Sequence, residues 1–231
     1  LRAAIDSDLA WRFRQSPAAM AAAALLLVMV VCAIAAPLIA PHTPFDPATL
    51  NLMDSRLPPA WVEGGMLTYP LGTDEQGRDV LSTIFYGMRI SITVGVAAVC
   101  LSVVIGVTLG LVAGWCGGWI DAAIMRLGDV QLSFPTIMIA FFIDGVAKAM
   151  MPPDLREMTR FYVVIFAIGI ADWVQFARTV RAATMIEKNK DYAAAAKLSR
   201  VSGLKILFAH VLPNTLGPVI ILATLGLGVA I

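Results

Sequence analysis

Two long runs without a charged side chain constrain this sequence more than any other feature, and they occupy residues 17–40 and 90–120. A helix needs about 20 apolar residues to cross the roughly 30 Å hydrocarbon core of a bilayer, and both runs exceed that length. Only 14% of the residues are charged and 59% are hydrophobic, whereas about a quarter of the residues in soluble domains are charged. The sequence therefore predicts an all-α membrane protein, a polytopic helical bundle.

Three further apolar runs raise the expected number of spans to about five. Residues 130–143 reach span length if the helix continues past Asp144, and residues 161–177 form a fourth span interrupted by Asp172. The last run, residues 215–231, is shorter than the about 20 residues that a span needs. Because the chain starts at Leu1 rather than Met and stops inside this apolar run, we expect both ends to be cut.

The distribution of basic residues predicts how the spans are oriented, since cytoplasmic loops carry an excess of Lys and Arg. The segment 178–205 holds seven basic residues and only two acidic ones (basic residues 178, 181, 188, 190, 197, 200 and 205; acidic residues 187 and 191). We therefore expect this segment, residues 117–129 and the N-terminal segment 1–16, with Arg2, Arg12 and Arg14, on the cytoplasmic side. Residues 41–89 then lie outside, between a first span at 17–40 and a membrane core at 90–231.

The end of the outer segment has the apolar spacing of a helix. Five apolar side chains recur at helical intervals between residues 79 and 89: Val80, Leu81, Ile84, Phe85 and Met88. This pattern predicts an amphipathic elbow helix that lies at the membrane surface and leads into the second span. A docking face for an external partner is the alternative interpretation.

The second span carries Gly106, Gly110 and Gly114, a doubled GxxxG pattern. Small residues four positions apart form a groove that lets another helix approach closely. We expect this stripe to pack against a helix of the same chain; dimerisation through the stripe is the alternative.

Charged residues inside spans are costly and must face the bundle interior or water. Asp172 either pairs with a neighbouring polar group and locks the bundle, or lines a translocation path together with Gln175, or carries a proton. Asp144 and Lys148 are four residues apart on one helix face, which predicts an ion pair near the outer interface. A substrate contact is the alternative for that pair.

The basic cytoplasmic segment, residues 184–212, has the composition of a folded insert between spans. Residues 193–196 are four consecutive alanines, and their small side chains predict a thin helix face that fits into a groove of a motor protein. Lysines around that face either are solvated or contact acidic motor residues or lipid phosphate. The chain has no GxxxxGK[ST] loop of its own, so we expect it to bind no ATP by that motif.

Catalytic signatures are absent from the sequence. No HExxH, GxSxG or CxxC pairs occur, and His42 and His210 are isolated. Cys32, Cys100 and Cys116 lie in or beside apolar runs and lack metal-ligand spacing. We therefore expect no catalytic, cofactor-binding or metal-binding residues and no enzyme activity. Nothing in the sequence indicates a nucleic-acid partner.

Several separated motifs resemble one family throughout the chain. They are PPAW at 58–61, LGTD at 71–74, GRDVLS at 77–82, YGMRIS at 86–91, GGW at 117–119, SFP at 133–135, FAR at 176–178, and the segment from Asp191 to Asn214. Together they resemble the second permease subunit of dipeptide and oligopeptide ABC importers. The resemblance implies six spans in a full chain, half of a translocation path, and an ATPase-docking loop at the matching positions (Asp191, Tyr192, Ala195, Ala196, Lys197, Arg200, Gly203 and Pro213).

The same resemblance implies the partners. They are a second, dissimilar permease, two ATP-binding subunits that bind the ATP, and an extracytoplasmic peptide-binding protein, all at a bacterial inner membrane. Import of nickel or another small solute by the same architecture stays open, as does an ion-coupled secondary carrier that uses Asp172.

Two residues depart from the family pattern in the docking loop. Ala194 stands where the family usually has Glu, and Arg200 stands where it usually has Gly. Since glycine permits a positive φ at the end of a helix, we expect Gly203 to take that role three residues later.

Overall fold

The computed structural model describes residues 8–45 and 52–230, without the side chains of residues 8–10, 12, 52, 153, 154, 157, 158 and 197. Its regular elements in these ranges are all helical. They form two compact units, residues 1–92 and 93–231. Four helices in the described part are long and apolar enough to cross a membrane, or five if one bent pair forms a single span. The prediction of an all-α polytopic membrane protein is confirmed.

The first unit begins with α1, Asp8–Gln15, and α2, Pro17–Ile34. The Ser16 hydroxyl caps α2 by accepting a 3.3 Å hydrogen bond from the Ala19 amide, and proline follows at the first helical position, where no amide hydrogen is needed. A short helix, α3 (Ala36–Ile39), follows α2. Nearly all side chains of α2 are open to the surroundings, as in a helix that faces lipid.

Turns stabilised by polar side chains make up residues 55–79. The Thr73 hydroxyl accepts a hydrogen bond from the Leu57 amide at 2.9 Å and donates one to the Asp54 carbonyl. Asp79 accepts hydrogen bonds from the amide of Ser82 at 3.0 Å and from its hydroxyl at 2.5 Å. These contacts fix the first turn of the next helix, α4.

Helix α4 spans Val80–Cys116 without interruption. At 1.5 Å per residue it is about 55 Å long. The predicted elbow at residues 79–89 and the second span are therefore one helix, because no proline interrupts its sequence. The helix ends at Gly117, whose φ of 66° is accessible to glycine at low cost.

The expected third span, residues 130–143 with a continuation past Asp144, is divided by a break, although the continuation to Met150 is present. Helix α5, Gly118–Leu132, and helix α6, Thr136–Met150, meet at a bend of 91°. Pro135 lies in the break; it lacks an amide hydrogen and restricts the residue before it. Asp144 and Lys148 lie on α6 and form the predicted ion pair at 2.5 Å.

The remaining chain forms α7, Pro153–Glu187, then α8, Asp191–Leu198, and α9, Gly203–Ile206. A π-helical turn, Leu207–Val211, joins α9 to α10, Leu212–Ala230. The whole stretch from Gly203 to Ala230 is 28 residues long, and residues 215–230 of the expected fifth span lie on α10. In the π turn the Leu212 amide bonds to the Leu207 carbonyl, which shifts the hydrogen-bond pattern by one residue just before Pro213.

Candidate translocation and coupling site

A seam between α4 and α7 forms the centre of the second unit. A Cβ atom added to Gly106 would lie 2.5 Å from the Cβ of Phe176, and one added to Gly110 would lie 2.6 Å from the Ala177 carbonyl. Gly114 approaches Thr184 in the same way, at 2.7 Å. The glycine stripe therefore faces a helix of its own chain, at a separation that excludes any larger side chain.

Polar side chains reinforce this seam within the predicted span. The Ser102 hydroxyl donates to the Gly169 carbonyl at 3.0 Å. The Gln131 amide nitrogen donates to the Ala171 carbonyl at 3.0 Å, and its oxygen accepts a hydrogen bond from the Trp173 indole at 2.7 Å. Because a polar group without a partner is costly in lipid, these contacts bind α4 and α5 to one stretch of α7.

A second face of α7, beside the seam, is polar and partly open. Asp172, Gln175 and Thr179 follow one another at intervals of three and four residues, so they share a face. Gln175 is exposed, and Asp172 and Thr179 are half-buried. Asp172 has no hydrogen-bond or ion-pair partner among the described side chains, so its pairing with a polar neighbour stays a prediction. Thr179 was missed by the sequence analysis, although its spacing from Gln175 marks it.

Two ion pairs connect α7 to α5 towards the predicted cytoplasmic side. The Arg181 guanidinium makes two bonds to the Asp121 carboxylate, one of them 2.6 Å long, and Arg178 lies 2.6 Å from Asp129. The bidentate geometry gives the first pair a fixed orientation. Both pairs join residues about 50 or more positions apart, which spacing rules cannot anticipate.

The segment between α7 and α10 is packed into the core of the bundle. Ala193 and Ile206 are fully buried, in one apolar cluster with Val180 and Phe176 of α7. Lys188 donates to the Gly114 carbonyl at 2.6 Å and so caps the C-terminal end of α4. This segment and the span helices therefore share one core.

A polar cluster orients α8 on this core. The Glu187 carboxylate accepts a 2.6 Å hydrogen bond from the Tyr192 hydroxyl and lies 2.7 Å from the Lys190 ammonium. Burial, followed by the hydrogen bond to Glu187, raises the pKa of Tyr192. The hydrogen bond with Glu187 also raises the pKa of Lys190. The Asn214 side chain donates to the His210 carbonyl at 2.8 Å, which connects the π turn to α10.

The predicted docking residues divide into an inward and an outward set. Ala196 packs against the apolar cluster and points inward, whereas Ala194 and Ala195 are exposed. Asp191, Arg200 and Pro213 are exposed as well, and the Lys197 side chain lies outside the described atoms. Leu198, which the sequence analysis did not select, is 86% exposed at the end of α8. An exposed apolar side chain at the tip of a helix that is predicted to be cytoplasmic is the signal that identifies it.

The turn after α8 corrects the expectation for Gly203. Arg200 itself adopts the left-handed conformation, with a φ of 57°, and Gly203 instead begins α9. A Cβ atom on Gly203 would lie 3.3 Å from the Trp115 ring, so this glycine serves close packing. Arg200 therefore occupies a conformation that costs a non-glycine residue about 1–2 kcal/mol.

Among the described residues, no group of three or more His, Cys, Asp or Glu side chains is arranged to hold a metal ion. The three cysteines are free thiols.

Comparison with known proteins gives consistent matches over nearly the whole chain. Residues 106–231 match the model of the binding-protein-dependent transport system inner membrane component, and residues 7–59 match the N-terminal TM domain of oligopeptide transport permease C. A dipeptide transport system permease protein of Haemophilus influenzae is 39% identical over 95% of this chain and 70% of its own length. A di/tripeptide permease of Pseudomonas aeruginosa is 36% identical over 95% of this chain and 68% of its own length. An oligopeptide permease of Bacillus subtilis is 30% identical over 97% and 67%.

Proposed function

The chain belongs to the family of binding-protein-dependent transport system inner membrane components, and from this we propose that it forms half of the translocation path of an ATP-driven importer of di- and oligopeptides. Its relatives carry the names of dipeptide, di/tripeptide and oligopeptide permeases. The other half of the path comes from a second permease subunit. Two ATP-binding subunits and an extracytoplasmic peptide-binding protein complete the assembly at a bacterial inner membrane.

The observation that carries this proposal is the partly open polar face of α7. Asp172, Gln175 and Thr179 lie on this face beside the seam with α4, and within the described residues Asp172 has no partner. A carboxylate in a span is stable only next to water or a partner. In the assembled importer, this face lines the aqueous path between the two permease subunits.

ATP hydrolysis is coupled to transport through α8. Its exposed positions Ala194, Ala195 and Leu198 form a thin face with one apolar side chain at its tip, a shape that suits a groove on an ATP-binding subunit. Because Ala193 on the opposite side of α8 lies in the core with Val180 of α7, a displacement of α8 is transmitted to the helix that lines the path. The ATP-binding subunits hydrolyse ATP, and this chain needs no cofactor of its own.

The decisive experiment places a large acidic side chain at Ala195 in the assembled importer. Ala195→Glu should abolish ATP-dependent dipeptide uptake in proteoliposomes while the subunit still inserts into the membrane. Ala195→Ser, which keeps the side chain small, is the matched control and should transport normally. Ala196→Glu is a poor choice because Ala196 packs inward. Normal uptake by Ala195→Glu would contradict the docking role of α8.

A second candidate function, an ion-coupled carrier, is favoured because Asp172 has no partner among the described side chains. If Asp172 carried protons, a protonophore would stop uptake at constant ATP, and Asp172→Asn would abolish it. For the ATP-driven importer, uptake follows ATP and survives collapse of the proton gradient.

A further inference from the structure

A charged cavity lies where the end of α6 meets the start of α7. It is distant from the seam between α4 and α7 and from the segment between α7 and α10. Its volume is about 240 Å³, and its lining includes Asp144, Lys148, Arg156, Thr159, Arg160 and Val163. The orientation predicted from the basic residues puts this end of both helices on the outer side, where a binding protein would deliver its cargo.

A second, mostly apolar cavity of about 870 Å³ adjoins the charged one. The two share Asp144, Lys148, Arg160 and Val163, and the larger one continues along Phe141 and Val164 to Ala167. Its volume lies within the about 300–1,000 Å³ of small-molecule sites. Charged groups therefore lie at one end of an apolar cavity that is large enough to hold part of a small molecule.

Both signs of charge are present in this lining. Lys148 lies 2.5 Å from Asp144, and the Arg156 guanidinium donates to the Met151 carbonyl at 3.0 Å. Arg160 has no partner among the described side chains, which do not include Asp154 and Glu157 of the same helix. Arg156 and Arg160 are four residues apart on α7, and both line this cavity.

We propose that this cavity is a transit site for zwitterionic peptides with free termini, which rests on the proposed function. The peptide carboxylate binds Arg160 and Lys148, the peptide ammonium binds Asp144 in exchange for Lys148, and the peptide side chains occupy the apolar cavity. The site thus selects substrates by their two termini and is indifferent to side-chain identity.

A zwitterionic lipid headgroup offers the same pair of charges, phosphate and ammonium. The apolar cavity suits lipid acyl chains as well as peptide side chains, and we assign the peptide because it is the cargo of the proposed function. The experiment therefore varies peptide and lipid independently.

The test is protection of a single cysteine in the assembled importer, with Cys32, Cys100 and Cys116 replaced by Ser. Ala147 lines the charged cavity, so Ala147→Cys is labelled with a membrane-impermeant maleimide in the presence or absence of alanyl-alanine. We expect the dipeptide to slow labelling about tenfold, which corresponds to about 1.4 kcal/mol. N-acetyl-alanyl-alanine amide, which has neither charge, should not protect. Ala149→Cys, exposed on the same helix and absent from the lining, is the control and should label equally in all conditions.

Two variants connect the protection to the charges. Arg160→Gln and Asp144→Asn should each remove the protection of Ala147→Cys by the free dipeptide. Equal protection by the blocked peptide, absence of protection, or protection that follows the phosphatidylethanolamine content of the vesicles instead of the dipeptide would each overturn the proposal. Because ATP-driven uptake is measured in the same vesicles, uptake without protection refutes only the transit site, whereas absence of ATP-driven uptake by the importer with its native cysteines refutes the proposed function.

Discussion

The outer segment, residues 55–79, and the inner segment, residues 188–211, both connect membrane helices, yet they are stabilised in opposite ways. In the outer segment the buried side chains are polar, those of Thr73 and Asp79, and hydrogen bonds of polar side chains fix the turns. In the inner segment the buried residues are apolar, and Ala193, Ile206 and Val211 share one cluster with the long helix α7. A substitution in the outer segment should therefore affect the stability of that segment alone, whereas a substitution in the inner segment should also affect the stability of the bundle.

The largest expected effect breaks the link between the bundle and the inner segment. Gly110→Val places a side chain against the Ala177 carbonyl, which a Cβ atom would approach to 2.6 Å, and we expect a loss of roughly 3 kcal/mol of stability. Thermal unfolding of the assembled importer and tryptic cleavage within residues 188–205 measure it. Gly87→Val in the same helix is the control, since no heavy atom lies within 4 Å of its Cβ position. An inner segment that stays protected in Gly110→Val would contradict the shared core.

The next effect concerns the polar cluster that orients α8. Tyr192→Phe removes the 2.6 Å hydrogen bond to Glu187, which we expect to cost about 1.5 kcal/mol and to accelerate amide hydrogen exchange in α8. The exposed Tyr162 offers the control, Tyr162→Phe, without such an effect.

The same hydrogen bond has a pH dependence. The folded state raises the pKa of Tyr192 above 10.0, through burial and then the Glu187 contact. The contribution of the neutral Tyr192 hydroxyl to the stability of α8 is therefore complete below pH 10.0, and it is lost as the pH rises through the folded pKa. In the parent protein, the protection of the α8 amides from hydrogen exchange should fall in that pH range. A Tyr192→Phe variant that shows the same fall would contradict the role of the Tyr192 hydroxyl.

A smaller effect of opposite sign is expected at the turn after α8. Arg200→Gly relieves the left-handed conformation of Arg200, whose φ is 57°, at the cost of a more flexible unfolded chain. We expect a net gain of about 0.5–1 kcal/mol, measured as slower exchange in residues 199–206. Ser199→Gly, without a positive φ to relieve, should be destabilising instead. A loss of stability in Arg200→Gly would mean that the arginine side chain contributes more than its backbone costs.

The smallest effect should stay within the outer segment. Burial by itself raises the pKa of Asp74, but hydrogen bonds from Arg78 and Gln76 outweigh it and lower that pKa below 3.8. The contribution of the ionised Asp74 to the stability of the outer segment is thus present above pH 3.8, and it is lost as the pH falls through the pKa of the folded state. Limited proteolysis in acid should show residues 55–79 opening before the inner segment does. Asp74→Asn should remove this acid step, whereas Glu75→Gln, at an exposed ion pair with Arg56, should keep it.

Much of the fold was predictable because the relevant patterns are local. Uncharged runs identify helices that cross a bilayer, and the i, i+4 spacing of Asp144 and Lys148 anticipates their ion pair, since one helix presents both side chains to each other. The elbow boundary and the third span were wrong although the sequence carries their signal: no proline interrupts residues 80–116, whereas Pro135 interrupts residues 130–143. The π turn at Leu207–Val211 was not anticipated.

The sequence by itself determined the class of the protein, its family, its apolar helices and the small-residue stripe at Gly106, Gly110 and Gly114. Only the tertiary structure decided that this stripe faces α7, that Arg181 binds Asp121, and that Ala196 points inward while Ala195 points outward. Composition and periodicity report which surface of a helix avoids water, because that preference belongs to each residue alone. The partner that covers the surface is chosen by shape and charge complementarity between segments distant in sequence, and that choice exists only once the chain has folded.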